Sequence, residues 1–549
     1  MLYAEIHLPR LISGDTSLMS EASLFSGRRN ALAFWLGSAV VTVGVVLHLP
    51  MYWMGRNMGF VLAGMPMDAG MLWGMALIVA GIGFAGYGLL PSAPKAAPPA
   101  HLAIAPPEDA PLTPAHWLLM GVLAVALVID IMKPASLGFV TPGMRDEYGV
   151  DAATVALLPF SALSGTVAGS FLWGALADIY GRRAAILLSS VMFIGTSICG
   201  AMPSFWWNVL MCFLMGAAAG GMLPVTYALL AEVMPTRHRG WCLVLVGGIG
   251  AVGGYLASSV FSALLQPFFG WRIMWFLNLP TGVILIVLSP LIPESARFLQ
   301  QMGRGAEALA ALARFGAVAR PERAEELEAE AAPPDHTPLP PPLYLGTTSA
   351  LTLAALAWGF VNFGVLLWLP GALIAEGRSM GLAATVIAKS TLFAAPAVAV
   401  VAWLYTAWST KWSLVLMIAL TTLGLLAIPL GDMDLLPILS NPIVPLACLI
   451  VGSTGVISIL LPYTAENYPL KVRGRATGWV AGCSKVGGLI AQALSALALV
   501  PALNIAALAV AMPAALSLAL IAMLGRETRN RDLRELEATA SFRAPLSDG

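Results

Sequence analysis

The feature that most constrains this chain is a series of long apolar segments. Of the 549 residues, 58% are hydrophobic and only 11% are charged, whereas soluble domains carry about 25% charged residues. So few charges cannot cover a surface in water, and we predict an all-α integral membrane protein that lies in a lipid bilayer. Fourteen segments are long enough to cross about 30 Å of hydrocarbon as helices, at roughly 30–54, 70–91, 116–141, 154–177, 184–201, 205–233, 241–265, 272–292, 348–373, 384–407, 412–430, 443–465, 474–499 and 503–524.

Two long connections divide these spans into groups of two, six and six. Both connections are rich in proline and alanine, and the second also carries an acidic run, as is typical of solvated linkers. We expect a tail at 1–29 that is not a cleaved signal peptide, a two-helix membrane segment at 30–91, a linker at 92–115, a six-helix bundle at 116–299, a central loop at 300–346, a second six-helix bundle at 347–525 and a tail at 526–549.

The basic residues of the short loops alternate onto one side of the predicted bundle. Cytoplasmic loops are enriched in Lys and Arg, so we expect that side, together with both termini, to be cytoplasmic in a multi-pass protein of the inner or plasma membrane. The 29 basic and 29 acidic residues balance, which gives no reason to expect a nucleic-acid partner. The five cysteines lie singly in apolar segments, and we interpret them as packing residues.

The two halves of the chain share a pattern at the end of one helix. ALLAEVMPTRHRG (228–240) and PYTAENYPLKVRGRATG (462–478) both place Pro three residues after a Glu and Arg-Gly soon after. Internal similarity of this kind is typical of transporters built from repeats. We interpret the charged residues as gating pairs, namely Glu232 with Arg237 and Arg239, and Glu466 with Arg473.

A second pattern, GALADIYGRR (174–183), lies between two apolar spans. A basic cytoplasmic loop needs only the arginines, but this segment also has an acid and two glycines at fixed spacing. It resembles motif A of the major facilitator superfamily, G-x-x-x-D-x-x-G-R-R. The resemblance implies a charge relay between the two bundles that stabilises the outward-facing state, with the elements Gly174, Asp178, Gly181, Arg182 and Arg183.

Further segments resemble the metabolite:proton symporters and sugar porters of that superfamily. FGWRIMWFLNLP (269–280) and PESARFL (293–299) occur in the family's order, and the latter supplies Glu294 and Arg297 as expected gate residues. The likeness covers about residues 116–537 and implies the twelve-helix fold, with two extra N-terminal helices outside it. The second-half counterpart of motif A, YTAWSTKWS (405–413), lacks the acid and the paired arginines, so we expect a one-sided relay.

Few ionisable residues lie deep in the predicted core helices, and such residues are expensive in lipid. Asp130 and Lys133 share a face of the first core helix, next to Pro134, and we expect them either to bind a proton and substrate or to form a structural pair. Lys485 in the eleventh core helix is a candidate site for an anion. Asn362 and Trp368 in the seventh are candidate cavity residues.

These residues predict a secondary transporter rather than an enzyme, because no P-loop and no Ser/His/Asp constellation is evident. We expect a monomeric, proton-coupled importer of a small organic acid, with core helices one, four, seven and ten around the cavity, no cofactor and no bound metal. The alternatives are a porter for a sugar or another neutral metabolite, a drug exporter and a non-transporting sensor. A copper-linked transporter is a further alternative, because methionines are frequent between residues 51 and 75.

Overall fold

The computed structural model describes residues 27–90, 102–105, 110–321, 345–432, 441–468 and 470–529. Thirteen helical segments of these ranges are long and apolar enough to cross a membrane. The remaining predicted span is also helical, over Leu470–Ala496, but its glycines, Lys485 and Gln492 make it less apolar. The predicted all-α membrane architecture is therefore confirmed. Two short strands are its only additions among the described residues.

The first two spans form a helical hairpin outside the core. It consists of α1 (Arg28–Val46), α2 (Leu49–Met54) with a following 3-10 turn (Gly55–Met58), and α3 (Ala69–Gly88). The backbones of α1 and α3 approach closely at glycines: a Cβ at Gly37 would lie 2.5 Å from the carbonyl oxygen of Gly81. Val41 and Ile78 of the hairpin pack against Gly195 of the core. Met51 and Met71 are buried within it.

The first six core helices form one half of the transporter, called here the N half. Its elements are α4 (Pro114–Tyr148), α5 (Ala152–Val155), α6 (Leu157–Tyr180), α7 (Arg182–Gly195) with a 3-10 turn (Thr196–Ala201), α8 (Phe205–Ala219), α9 (Met222–Val233), α10 (Thr236–Phe269), α11 (Ile273–Phe276) and α12 (Asn278–Leu288) with a 3-10 turn (Ser289–Leu291). The helices α8 and α9 together make the fourth core span, and they are interrupted at Gly220 and Gly221.

Between the halves lie two short helices and a small sheet. These are α13 (Ala296–Gln301), α14 (Gly305–Ala313) and an antiparallel pair of strands, β1 (Leu102–Ala105) and β2 (Val318–Pro321). The sheet joins the linker that follows the hairpin to the central loop. The segment GRGAEALAALARF of the predicted central loop contains α14.

The last six core helices form the C half. Its elements are α15 (Leu345–Phe360), a π-helical turn (Val361–Val365), α16 (Leu366–Ala375), α17 (Met380–Ala394), α18 (Ala397–Ala407), α19 (Thr410–Asp432), α20 (Ile443–Asn467), α21 (Leu470–Ala496) and α22 (Leu503–Leu524). The π-helical turn divides the seventh core span in its middle. Such turns often lie at functional sites.

The two halves meet at both ends of the bundle. We call the end that carries residues 174–183 the motif A end and the opposite end the far end. At the motif A end, a Cβ on Gly240 would lie 3.1 Å from Cε1 of Tyr405. At the far end, a Cβ on Gly138 would lie 2.8 Å from the carbonyl oxygen of Leu367. The molecule is therefore closed at both ends, and the assignment of the motif A end to the cytoplasm stays a prediction.

Candidate functional site

The motif A segment forms the tight turn between α6 and α7. Gly181 has a φ of 94°, a conformation that glycine adopts without strain. A Cβ there would lie 2.5 Å from Oε2 of Glu294, so the turn also brings a carboxylate close to the backbone. Glu294 accepts hydrogen bonds from the backbone N–H of Arg182 at 2.6 Å and of Arg183 at 3.3 Å. It therefore caps the N-terminus of α7.

The environment of Glu294 opposes its ionisation. Burial raises the pKa of the Glu294 carboxyl above its usual range, although the backbone donors at Ser295, Arg183 and Arg182 act in the other direction. The hydrogen bonds of the cap thus offset only part of the effect of burial on the pKa of Glu294.

Glu232 is connected to the same turn from the end of α9. Its carboxylate accepts a hydrogen bond from the Ser295 hydroxyl at 2.6 Å and lies 3.9 Å from Nε of Arg182. We expected Arg237 and Arg239 as its partners; the structure shows Ser295 and Arg182 beside Glu232, and the expected pairing stays a prediction. The chain turns at Pro235, so Arg237 begins the next helix on an exposed face.

Asp178 and Gly174 lie on the outside of the turn. Asp178 is 75% exposed and is 3.4 Å from Nη1 of Arg182, four residues along the chain. This ion pair lies within one half, so the relay between the halves that the resemblance implies stays a prediction. A Cβ on Gly174 would meet open space, so this glycine is not required by a close helix contact.

The C half repeats the carboxylate cap with different donors. Glu527, after α22, accepts hydrogen bonds from the Ser409 hydroxyl, from the Thr410 hydroxyl at 2.6 Å and from the Thr410 N–H at 3.0 Å. Thr528 then donates to Glu466 at 2.7 Å, as Ser295 donates to Glu232. Hydroxyl groups therefore stand where the N half uses Arg182. The two halves therefore differ in the charge of the groups at this turn, as expected. In both halves, however, a carboxylate is connected to the turn by hydrogen bonds.

The two caps differ electrostatically. Burial also acts to raise the pKa of Glu527, but donors from Ser409, Thr410 and Arg529 outweigh it and hold that pKa below its usual range. The side chains of Arg297 and Arg473, both expected at the gates, lie outside the described residues.

The charged residues of the first core helix point to different places. Asp130 and Lys133 are both buried in α4, at 7% and 2% exposure. The Lys133 ammonium lies 2.8 Å from the ring centroid of Phe193 on α7, inside the N half. No salt bridge within 4.0 Å links the two residues, and both charged groups lack a hydrogen-bond partner in the described part of the chain. The structural ion pair that we considered is therefore not formed here.

Lys485 reaches from the C half into the N half. Its Nζ donates to the Ser170 hydroxyl on α6 at 2.5 Å and to the carbonyl oxygen of Gly220 at 3.3 Å. That carbonyl is available because the fourth core span is interrupted between α8 and α9. The charges of both Lys133 and Lys485 act on Asp130. A buried acid of one half and a half-buried cation of the other thus both lie in mid-membrane, without a salt bridge within 4.0 Å between them.

The π-helical turn is a second mid-membrane contact between the halves. The Tyr255 hydroxyl of α10 donates to the Asn362 carbonyl oxygen at 3.1 Å and to its Oδ1 at 3.0 Å. The Gln492 amide of α21 donates to the adjacent carbonyl of Phe363. Trp368 lies one turn further, and its ring packs against Gly364.

Small cavities lie between the halves in the described part of the chain. One is bounded by α4, α6 and α8 of the N half and by the seventh core span, and its lining includes Pro134, Thr166, Gly216, Phe363 and Leu367. Another lies between α10 and the helices α18 and α20, around Gly248, Val398 and Ser458. The expected helices one, four and seven thus share a cavity with helix two. Helix ten lines the second cavity with helices five and eight.

At the far end, an ion pair connects the hairpin to the core. Glu147 and Arg272 approach to 2.6 Å, and their side chains are 5% and 0% exposed. Glu147 also accepts from Nε1 of Trp271 at 2.8 Å and from the backbone N–H groups of Leu62 at 2.7 Å and Ala63 at 3.0 Å. Trp271 and Arg272 belong to the segment quoted above for its resemblance. The sequence contained no sign of their connection to residues 62 and 63.

Sequence reasoning missed Ser170, Tyr255, Glu147 and Glu527 as site residues. Serine and tyrosine in apolar spans are too common to be selected, and the partner of each lies far away in the chain. A signal was present for Glu527, whose segment GRETR resembles PESAR at the end of the other half.

Two helical halves with buried opposite charges at their interface define a membrane transport protein. The chain belongs to the major facilitator superfamily, since the family model with that description matches residues 118–492. It is accordingly a multi-pass membrane transporter and not an enzyme.

Similar proteins include transporters of known name. The 4-hydroxybenzoate transporter PcaK of Pseudomonas aeruginosa is 28% identical over 76% of this chain and 94% of that protein. The putative niacin/nicotinamide transporter NiaP of Bacillus subtilis is 28% identical over 68% of this chain and 87% of that protein. The gallate transporter of Pseudomonas putida is 27% identical over 70% and 85%, respectively.

Solved structures show the same fold. The proton:xylose symporter XylE bound to 6-bromo-6-deoxy-D-glucose superposes with a TM-score of 0.61, covering 77% of this chain and 98% of that one at 16% identity. The inward open conformation of the xylose transporter XylE from E. coli gives a TM-score of 0.59, covering 77% and 99% at 14% identity. At this identity the likeness concerns the fold alone.

Proposed function

We propose that this protein is a proton-coupled importer of a small aromatic carboxylate, with Lys485 as the anion site and Asp130 as the proton site. The observation that carries the proposal is the position of Lys485, a half-buried cation that bonds across the interface of the halves. Its present partners, a hydroxyl and a carbonyl, are neutral. A substrate carboxylate is a stronger acceptor for an ammonium group, because charge-assisted hydrogen bonds exceed neutral ones.

The similar transporters support this substrate class. Their names give 4-hydroxybenzoate, gallate and, for a further relative from Acinetobacter baylyi, benzoate. All three are planar rings with one carboxylate. In this chain apolar and aromatic side chains, including Phe363, line the small cavity beside the π-helical turn, and we propose that this cavity widens to take such a ring.

Asn362 supplies a second group for the carboxylate. Its Oδ1 accepts the Tyr255 proton, so its amide N–H groups are oriented away from that bond and are donors for a ligand. Tyr255 thereby orients Asn362, and the substrate completes a set of donors that comes from both halves.

Coupling follows from the charges that the closed state must bury. The empty carrier holds the opposite charges of Asp130 and Lys485 in the same mid-membrane layer, where each partly offsets the other. A substrate anion on Lys485 leaves Asp130 as an uncompensated buried charge, which is expensive in a membrane interior. Proton binding to Asp130 removes that charge. Only the empty carrier and the doubly loaded carrier then close readily, and this constitutes symport.

The remaining parts of the proposal concern the orientation of the protein in the membrane and the number of chains needed for transport. The positive-inside rule assigns the motif A end and both termini to the cytoplasm, and we propose an inner or plasma membrane location with the far end outside. We further propose that one chain is sufficient for transport, because each half contributes a member of the charged pair.

The test uses purified protein in proteoliposomes with radiolabelled 4-hydroxybenzoate and an imposed pH gradient. We expect accumulation by the wild type, and none by Asp130→Asn, which should retain counterflow exchange. Lys485→Gln should raise the KM about tenfold or more, since a hydrogen bond to a charged group contributes about 1.5–3 kcal/mol, while Lys485→Arg should retain part of the affinity.

Lys411→Gln, which removes a lysine at the motif A end, is the matched control and should transport normally. Concentration of substrate by Asp130→Asn would show that the proton site lies elsewhere, with Glu232 and Glu466 as the next candidates. Flux of xylose instead of the aromatic acid would support a sugar porter, and no flux for any acid, sugar or drug would support a sensor.

A further inference from the structure

The eighth core span carries a lysine on a face that is otherwise apolar and exposed. Lys389 lies within α17, in a segment long and apolar enough to cross the membrane. Leu382, Leu392 and Phe393 are exposed on the same side of this span, and the exposed stripe continues to Trp403. Residues at these spacings form one face of a helix. In a membrane that face contacts lipid.

Lys389 has no acidic partner in the part of the chain that the structure describes, where no carboxylate lies within 4.0 Å of its ammonium group. A lysine that faces hydrocarbon costs several kcal/mol unless its charged group reaches a polar environment. Long cationic side chains meet this requirement by extending along the protein surface toward the nearest headgroups. The polar groups toward which Lys389 extends therefore determine what its charge contacts.

Helical side chains tilt toward the N-terminus of their helix, which for α17 is the far end. Lys389 is nine residues, or about 14 Å, along the helix from Met380. Thr385 lies one turn closer to that end, and its hydroxyl donates to the Gly381 carbonyl at 2.7 Å. Ser379 caps the helix by accepting from the N–H of Leu382. The Thr385 proton and the Leu382 N–H are thus both committed within the helix, and Lys389 is the cation of a line of exposed side chains that runs toward the far end.

This line borders the seam between the two halves. A Cβ on Gly381 would lie 3.7 Å from Cγ of Pro267, which belongs to α10 of the N half. Within one turn of Pro267, α10 exposes Leu264 and Phe268. The far end of the seam therefore combines a cation on one wall with large apolar side chains on the other.

We propose that the seam between α10 and α17 binds an anionic phospholipid of the far-end leaflet, with its phosphate at Lys389 and an acyl chain along Leu264 and Phe268. A lipid fits better than an acidic helix of another protein because lipid is the medium that this face contacts and because the exposed side chains around Lys389 are apolar. Since the walls of the seam belong to different halves, the lipid stabilises the arrangement in which the far end is closed.

The experiment measures lipid preference on the whole protein by native mass spectrometry after reconstitution into phosphatidylcholine with phosphatidylglycerol. We expect the wild type to retain phosphatidylglycerol over phosphatidylcholine, and Lys389→Gln to lower that ratio about fivefold, the effect of one lysine near a membrane surface. Lys389→Arg should keep the preference. Lys411→Gln, which also removes one lysine from the chain, should keep it as well.

A second measurement connects the lipid to the closed far end. Phosphatidylglycerol should raise the melting temperature of the wild type in detergent micelles and leave that of Lys389→Gln unchanged. An unaltered lipid ratio in Lys389→Gln would overturn the proposal. So would crosslinking of a photoreactive residue at 389 to a second protein instead of to lipid.

Discussion

The ion pair that connects the N-terminal hairpin to the core allows a quantitative prediction. Glu147 accepts four hydrogen bonds, from Arg272, Trp271, Leu62 and Ala63. Glu147→Ala leaves the fully buried Arg272 guanidinium with only neutral acceptors, the carbonyls of Gly200 and Met202 and the Tyr148 hydroxyl. Removing one partner of a buried pair costs about 3–5 kcal/mol of unfolding free energy. For a chain of 549 residues, that corresponds to a fall in Tm of about 3–4 °C.

Glu147→Gln should lose less unfolding free energy than Glu147→Ala, because the amide oxygen of the glutamine still accepts hydrogen bonds from the backbone of the hairpin loop. The assay is thermal unfolding of purified protein in detergent, combined with amide hydrogen exchange of the segment that contains Leu62 and Ala63. Exchange there should accelerate in Glu147→Ala. The control is Asp146→Asn, which changes the adjacent but exposed carboxylate and should stay within about 0.5 kcal/mol of the wild type. A Tm of Glu147→Ala within about 1 °C of the wild type would refute the assigned role.

Three further predictions concern the motif A end. Asp178→Asn should reduce transport while changing the free energy of unfolding by less than about 1 kcal/mol. The reason is that the exposed pair with Arg182 biases a conformational equilibrium rather than the fold. Uptake by Asp178→Asn at the wild-type rate would contradict this. Gly240→Leu should overpack the contact with Tyr405 and Glu466 and destabilise the closed state by about 1–3 kcal/mol. The measurement is counterflow exchange, which should become slower while the amount of folded protein stays unchanged. The raised pKa of Glu294 means that the folded protein binds this proton more tightly than the unfolded chain does. Stability should therefore fall as the pH rises from about 4.3, the ordinary value, into the raised range, and Glu294→Gln should flatten that slope in melting curves recorded against pH.

The sequence by itself determined the membrane architecture, because the length and apolarity of each span are local properties that any neighbouring structure must accommodate. All fourteen predicted spans are helical, and the loss of apolarity in α21 was itself readable from Lys485 and the glycines. The turn at Gly181 was also predictable, since its conformation depends on a few adjacent residues. The carboxylate cap in the N half required one more piece of information, the resemblance of PESARFL to a family segment.

The tertiary structure alone decided which polar groups meet. The partner of Lys485 lies 315 residues away, and nothing in the spacing of either segment points to Ser170. Lys133 turned toward Phe193 rather than Asp130, because a shared helix face does not specify which neighbouring helix each side chain contacts. Hydroxyls at Ser409 and Thr410 donate to Glu527 at the turn where the sequence has no paired arginines, because a carboxylate requires donors and not a particular residue type. In a membrane interior each buried polar group must find such donors or acceptors, and long-range packing determines where they are.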